Sequence, residues 1–385
     1  MSDKNSLLIP GDFPPVVSGI ATYFYEIWNA LSPEKCFILA AQDEGWASFD
    51  ARSRLRIIRR RIPTGDSTKA KILKGLLHTF WTVRLHLRYN FDIIHCGQVL
   101  SSGVTGWFMK KIFGVPYIVY VYGSETFRFG RSRLLLAAIK SFLGNAELII
   151  PNSQFTKEEF LALGLPENKF KVITPGVDIS RFYPTQKDAE LVDRWNLAGK
   201  IVLLTVARLD ERKGHDNVIA AVSFLKADYP NLVYLVVGKG REEERLRNMA
   251  RELEVEDRIR FCGYVSDTDL PKYYNLCDIF MLLNRQSIAN DRLRGDYEGF
   301  GIVFLEASAC GKPVIAGDFG GIADAVEDQK SGFIIDGTRI PIITDQIRQL
   351  IVSNELRTKI GEYGLQRARQ NFNWQTISEN IRPLV

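Results

Sequence analysis

Two carboxylates and a run of cations carry the chemistry that can be read from this chain. The stretch Glu298-Gly299-Phe300-Gly301-Ile302-Val303-Phe304-Leu305-Glu306 sets two glutamates with seven residues between them, the first in a glycine-rich turn and the second a little over one turn inside a helix predicted to begin near Gly301 and to end before Gly311. Free backbone N–H groups at such a helix start face a bound anion. Arg208 and Lys213, in Val206-Ala207-Arg208-Leu209-Asp210-Glu211-Arg212-Lys213-Gly214, follow directly on the apolar run 201–206. A guanidinium and an ammonium beside a helix N-terminus suit the concentrated charge of a diphosphate. A third segment, Val236-Val237-Gly238-Lys239-Gly240, ends an apolar run in a glycine turn; Glu243 stands where a nicotinamide-binding G-x-G-x-x-G would need glycine. Taken singly, each has a plain structural reading: a capped helix start with a solvated Glu306, a surface Arg208, a tight turn at Gly238.

The elements that must position these residues follow from periodicity. Short β-branched runs predict strands at residues 6–9, 37–41, 55–58, 93–95, 117–121 and 148–150, and a second series at 201–206, 233–237, 259–261, 279–283, 313–316 and 333–335. Amphipathic stretches such as 20–31, 156–163, 216–226 and 242–253 alternate with them. That order predicts parallel sheets covered by helices on both faces, hence two doubly wound α/β domains, whose ligands bind at the carboxyl ends of the strands. The turn-rich Pro175-Gly176-Val177-Asp178 marks the expected boundary, giving a first domain at 1–178 and a second at 179–371, with residues 372–385 packing back on the first through Trp374 and Ile377. The polar stretch 284–297 falls between a strand and a helix of the second domain, where a mobile active-site loop is expected.

The 385 residues are 46% hydrophobic and 25% charged, which excludes a disordered or collagen-like chain. No apolar run reaches the ~20 residues of a membrane span, and the N-terminus lacks a secretory signal pattern. Five scattered cysteines without C-x-x-C spacing argue against a zinc site or a disulfide framework and for a reducing, cytoplasmic setting. The net charge of +5 is uneven: residues 1–180 hold 22 Lys and Arg against 15 Asp and Glu, whereas the remainder is slightly acidic. A basic half implies an anionic partner; nucleic acid is the weaker choice, because no aromatic platform accompanies the charge.

Together the segments 207–214, 238–240, 298–306, Gly311-Lys312-Pro313-Val314-Ile315-Ala316 and Gly320-Gly321, in that order, resemble the family 4 retaining glycosyltransferases of GT-B architecture. Pro14-Pro15-Val16-Val17-Ser18-Gly19-Ile20-Ala21 resembles the family's first glycine loop, with one glycine where many members have two, and Pro151-Asn152-Ser153 and Pro175-Gly176-Val177-Asp178 resemble the end of its first domain. The resemblance implies two Rossmann-like domains facing each other across a cleft. It implies that Arg208 and Lys213 bind the donor diphosphate, Glu306 holds the ribose hydroxyls, and Glu298 bonds hydroxyls of the donor sugar. The backbone N–H groups of Phe300, Gly301 and Ile302 would touch sugar or phosphate, Gly19 would let its loop approach the diphosphate, and Gly238 belongs to the donor site. Residues Gly263, Tyr264 and Val265 would flank the base.

The expected reaction is transfer of a hexose, mannose or glucose, from a GDP- or UDP-sugar to a hydroxyl of a glycolipid, lipid-linked oligosaccharide or polysaccharide, with retained configuration, no metal and no further cofactor. Residues 296–307 look most like mannosyltransferases acting on lipids. One position departs from the pattern: many relatives carry a histidine just after the fifth strand, where this chain has Tyr122. Either Tyr122 or Glu125 takes that role, or the acceptor dispenses with it; a packing aromatic is the plain alternative for Tyr122. His95 reads as a core residue, and His215 as capping or padding the helix after Gly214. A nucleotide-sugar 2-epimerase of the same architecture, or a catalytically silent nucleotide-sugar-binding subunit, are the rival readings.

Residues 67–88 predict a helix with Ile72, Leu73, Leu76, Leu77, Phe80, Trp81, Val83, Leu85 and Leu87 among Lys69, Lys71, Lys74, Arg84 and Arg88, preceded by Arg52, Arg54, Arg56, Arg59, Arg60 and Arg61. Two readings stand: an interfacial segment docking on anionic lipid at the inner face of the cell membrane, or a core helix whose apolar stripe the sheet buries and whose cations are merely solvated.

Overall fold

The computed structural model describes residues 4–31, 33–63, 68–123, 132–286 and 297–385. Glu125 and most of the predicted loop 284–297 lie outside the described residues. The chain divides into two compact units, Met1–Pro175 with Trp374–Val385, and Gly176–Asn373.

The first unit is a six-stranded sheet, β1 (Ser6–Ile9), β2 (Cys36–Ala41), β3 (Arg56–Arg60), β4 (Ile93–Cys96), β5 (Tyr117–Val121) and β6 (Leu148–Pro151), in the order β3-β2-β1-β4-β5-β6. All neighbours are parallel. Side-chain alternation splits each strand between two core layers: Leu7, Ile9, Leu39, Ile94 and Val119 enter one, Leu8, Ile38, Ile93 and Ile118 the other. The second layer is completed by Trp374, Ile377, Ile381 and Val385 from the far end of the described chain.

The second unit repeats the plan with β7 (Ile201–Val206), β8 (Leu232–Val237), β9 (Ile259–Gly263), β10 (Ile279–Leu282), β11 (Val314–Gly317) and β12 (Gly332–Ile335), ordered β12-β11-β10-β7-β8-β9 and again parallel. Counted from its own first strand, this is the same 3-2-1-4-5-6 arrangement. Each sheet therefore reverses its order once, between β1 and β4 and between β7 and β10, and that reversal is where open α/β sheets leave a crevice at the strand ends. The strands read from the sequence are all present, with ends shifted by one or two residues.

The helix Thr68–Tyr89 forms over the predicted stretch, but its buried face only partly follows its hydrophobic pattern. Lys74, His78 and Thr82, spaced by four, face inward, with Leu85 continuing the stripe. Ile72, Leu76 and Phe80, also spaced by four but two positions out of phase, are exposed, as are Leu73 and Leu87. The first unit therefore buries only part of the predicted apolar set: Leu85 enters the core and Trp81 and Val83 pack against it, while those five stay outside. Lys74, counted among the outward cations in the sequence, is only 9% exposed and donates from Nζ to the Gly11 carbonyl at 3.0 Å. Arg59 is likewise internal, paired with Asp50 at 2.9 Å and donating to the Pro14 carbonyl.

Candidate active site

At the carboxyl end of β7 the chain passes through a 3-10 turn, Glu211–Lys213, into the helix His215–Leu225. Gly214 makes this possible. Its φ is +69°, and a Cβ there would collide with the Leu283 carbonyl at the end of β10. The turn carries Lys213 inward, where its Nζ pairs with Oε2 of Glu298. Arg212 Nη1 lies 3.4 Å from the same oxygen, and Asn284 donates to it from Nδ2 at 3.3 Å. Glu298 is itself held by its backbone: Gly321 N donates to its carbonyl at 2.8 Å, and Gly320, at φ +109°, passes so close that a Cβ would strike that carbonyl.

The electrostatics follow from this packing. Burial pushes the Glu298 carboxyl up, but the nearby Lys213 and Arg212 charges outweigh it and hold the group at about 2. Burial also lowers the Lys213 ammonium, against the pull of Glu298. The cluster is an ionised, mostly desolvated carboxylate with two cations and an amide on one oxygen, poised at the sheet's reversal point.

Arg208 stands apart from this cluster. Its side chain is 72% exposed, with Nη2 3.6 Å from Asp210, and Arg241 approaches the same carboxylate at 3.7 Å. A solvent-screened pair of this kind holds its partner weakly. The guanidinium is thus free to swing toward an arriving anion at little cost.

Eight residues after the lysine-paired carboxylate, the second glutamate meets the opposite environment. Gly301, at φ +86°, precedes the helix Ile302–Ala309, so Glu306 sits one turn in, behind a helix start formed by Phe300, Gly301 and Ile302. Burial raises the Glu306 carboxyl to about 7. The Tyr274 hydroxyl donates to its Oε2 at 2.6 Å, a pull in the opposite direction that does not overcome burial.

The glycine turn after β8 packs directly on the cation segment. A Cβ on Gly238 would collide with the Ala207 carbonyl, and one on Gly240 with the Leu209 carbonyl. Gly238 N donates to the Gly263 carbonyl at 2.8 Å, joining this turn to the end of β9. Of the residues assigned there to the base, Tyr264 is exposed and Val265 packs on the core. His215 is buried at the start of its helix, with Nδ1 3.1 Å from the Tyr234 hydroxyl and Nε2 3.3 Å from the Arg208 carbonyl; burial lowers it to about 4. It braces the cation segment from behind.

In the first unit, Gly19 opens the helix Gly19–Ala30, capped by Ser18, whose Oγ accepts from Ala21 N at 3.1 Å and donates to Asp12 at 3.1 Å. Tyr122 sets its ring edge-to-face against Tyr23 and Phe24, with centroids 6.4 and 6.5 Å away. His95 is fully buried between the Tyr120 hydroxyl at 3.0 Å and the Leu384 carbonyl at 3.2 Å, a core residue.

The structure thus joins Lys213 and Glu298 directly, and ties the Gly238 turn to the Arg208 segment and to Gly263. Arg212, Asn284 and Tyr274 belong to the site and were not singled out in the sequence. Arg212 had a visible signal, its place beside Lys213; Asn284 and Tyr274 are 14 and 32 residues from the glutamates they touch and had none. Among the described residues, no group of three or more His, Cys, Asp or Glu is placed to hold a metal ion.

Residues 17–181 match the family model Glycosyltransferase Family 4, and residues 188–367 match Glycosyl transferases group 1. A GDP-mannose-dependent alpha-(1-6)-phosphatidylinositol monomannoside mannosyltransferase of Mycolicibacterium smegmatis is 28% identical, covering 98% of this chain and 97% of the relative. A GDP-mannose-dependent monoacylated alpha-(1-6)-phosphatidylinositol monomannoside mannosyltransferase of Corynebacterium glutamicum is 25% identical over 100% of this chain and 98% of its own. Among solved structures, Anabaena HepE in complex with UDP superimposes with a TM-score of 0.81 at 21% identity, over 99% of each chain. Sucrose-phosphate synthase from Thermosynechococcus elongatus does so with a TM-score of 0.80 at 22% identity, over 98% of this chain and 97% of that one.

Proposed function

The chain belongs to the glycosyltransferases, with a Family 4 domain followed by a group 1 domain, and from that premise we propose that it moves mannose from GDP-mannose to a hydroxyl of an inositol phospholipid glycoside, with retained configuration and without a metal. The observation that carries the reading is the buried cluster of Lys213, Arg212 and Asn284 on Glu298 at the sheet's reversal point. Relatives matched over nearly their whole length are named as GDP-mannose-dependent enzymes acting on such lipids, which supports both donor and acceptor. They lend nothing to an epimerase or a silent subunit.

The roles follow from charge. As the anomeric C–O bond breaks, negative charge gathers on the diphosphate oxygen. Lys213, Arg208 turning from Asp210, and the amides of Phe300, Gly301 and Ile302 are the groups that would meet it. Because Glu298 is ionised at any working pH, it accepts hydroxyls of the donor sugar while keeping Lys213 charged and aimed. Glu306 takes the ribose hydroxyls. The acceptor hydroxyl forms its bond to the anomeric carbon on the face the diphosphate leaves, and its proton passes to a phosphate oxygen. That route needs no side-chain base. With the charge supplied by the protein, a divalent ion is dispensable.

The acceptor also gives the helix Thr68–Tyr89 a purpose. The exposed Ile72, Leu73, Leu76, Phe80 and Leu87 form a face about 23 Å long, flanked on the same helix by Arg84 and Arg88. Apolar side chains between cations suit a bilayer surface containing anionic lipid, with ~1 kcal/mol added by each nearby cation. No described helix is long and apolar enough to cross a membrane, so attachment here would be peripheral, at the cytoplasmic leaflet where the nucleotide sugar is.

The test is a panel of GDP- and UDP-sugars with phosphatidylinositol mannoside acceptors, with and without EDTA. Acceptor-dependent GDP release from GDP-mannose, retained α-configuration in the product and full activity in EDTA are expected. Complete loss in EDTA, restored by Mg²⁺, would show that the phosphate site depends on a metal; an inverted anomer would remove the proton route given above.

A further inference from the structure

We propose that Tyr274 is a positioning residue of the nucleotide subsite: its hydroxyl fixes one oxygen of Glu306 and leaves the rest of the carboxylate for the vicinal hydroxyls of the donor's ribose. The inference rests on the reading of Glu306 as the ribose ligand and names the group that makes that glutamate fit for it.

Tyr274 lies in the short helix Leu270–Leu276 and is fully buried. Its ring is set against Phe182 and Phe280, both with centroids 5.6 Å away, so the phenol has little freedom to turn. Burial pushes the phenol well above its ordinary range, and it stays a donor at every working pH. It donates a hydrogen bond to Oε2 of Glu306 at 2.6 Å, the one side-chain donor that this carboxylate has among the described residues.

A carboxylate offers about four lone-pair sites, and a mostly buried one with a single donor is under-satisfied. A vicinal diol supplies two O–H donors from adjacent carbons, which matches what is missing. The other groups that act on Glu306 are few. Arg181 favours its ionised form and Asp267 disfavours it, while Cys310, at the end of the same helix, is a thiol pushed up by burial and carries no charge. Asp267 adds to the effect of burial, and Arg181 does not outweigh it.

The balance has a thermodynamic consequence. Hydroxyl donors prefer the ionised carboxylate, so nucleotide binding and proton binding at Glu306 compete. Below about pH 7, where the free protein holds this proton, nucleotide affinity falls, by at most tenfold for each pH unit. Tyr274 sets where that fall begins. Its hydrogen bond favours the ionised form, and removing it raises the Glu306 pKa further, which moves the acid limb of binding to higher pH.

The experiment is calorimetric titration of the whole protein with GDP and with 2′-deoxy-GDP between pH 5.5 and 9. Wild-type affinity for GDP should fall below pH 7, and 2′-deoxy-GDP should bind more weakly and respond less. Tyr274→Phe keeps the ring and loses the hydroxyl. It should bind GDP about tenfold more weakly at pH 6.5 and recover toward wild type at pH 9, a recovery that a misfolded protein would not show. Glu306→Gln should flatten the limb, and adding Tyr274→Phe to it should change the profile no further. Both ligands share the titration of the terminal phosphate, so the diagnostic limb is the part seen with GDP and not with 2′-deoxy-GDP; if that part survives in Glu306→Gln, the ribose reading itself is overturned. Loss of that part in Glu306→Gln together with an unmoved or uniformly weakened Tyr274→Phe profile overturns the positioning role alone.

Discussion

The two sheets share a strand order and a packing plan, yet their strand ends are furnished differently. At the β7/β10 reversal, cations and a carboxylate are drawn into one desolvated knot. At the β1/β4 reversal, Lys74 is used up on the Gly11 carbonyl and Ser18 on Asp12, and the surrounding side chains are aromatic: Phe13 on Tyr25 and Phe49, Tyr122 on Tyr23 and Phe24. The unusual surface of the first unit lies elsewhere, on the outer face of the helix Thr68–Tyr89. One scaffold therefore presents two kinds of surface. Charge held at strand ends suits a diphosphate, and apolar surface on an outer helix suits a lipid. The difference resides in what occupies the ends and faces, because the apolar strand cores are interchangeable in character.

Three experiments would break or sharpen that contrast. The largest effect is expected at the knot and at the exposed arginine five residues before its lysine. Lys213→Ala and Arg208→Ala should each lower turnover by several hundredfold, a loss of about 3 kcal/mol for a contact that strengthens as the diphosphate leaves. They should part company in stability. Lys213→Ala strips the buried Glu298 of its partner and should lower the melting temperature, whereas the exposed Arg208 can be lost with little change. Single-turnover rates and thermal scans read both, and near-wild-type transfer by either variant would remove it from the phosphate site.

Next comes the outer helix. Replacing Leu73, Leu76 and Phe80 together by serine should weaken sedimentation with anionic vesicles at least tenfold while leaving the fold intact, since these side chains lie outside the core. High salt should weaken the wild type as well, through screening of the flanking cations. Equal binding to neutral and anionic vesicles, or none at low salt, would deny this face a membrane role.

The smallest effect is expected at Tyr122. If it stands in for the family histidine, Tyr122→Phe should reduce transfer more than it reduces thermal stability. An unchanged rate with a lowered melting temperature would make Tyr122 one more member of its aromatic cluster and deepen the contrast between the units.

The fold was legible because parallel strands are buried on both faces and so read as unbroken apolar runs, as in residues 201–206 and 232–237. Strand ends were less so. β9 continues to Gly263, beyond the last strongly apolar residue, because pairing with β8 rather than side-chain character extends it. The site was legible where chemistry clusters along the chain, at Lys213, Glu298 and Glu306. It was not legible where the fold brings distant residues together. Tyr274, within Tyr-Tyr-Asn-Leu, has the look of a core aromatic, and only its hydroxyl, donated across the packed helices, distinguishes it. The helix Thr68–Tyr89 shows the limit of periodicity. The pattern located two faces but not which one turns inward, because that depends on Gly11 and Ser101, whose carbonyls lie within hydrogen-bonding reach of Lys74 Nζ and a His78 ring nitrogen.

The return of residues 374–385 to the first unit also sets a timetable. Trp374, Ile377, Ile381 and Val385 fill the core layer beside Tyr23, Trp28 and Tyr120, and the Leu384 carbonyl accompanies His95. A ribosome delivers β1 through β6 early, but it cannot deliver this plug until the whole second unit has been made. The unit synthesised first is therefore the one whose core closes last. Until residues 374–385 emerge, the aromatic core layer they fill stays uncovered, which makes the first unit the part most dependent on shelter from aggregation during synthesis.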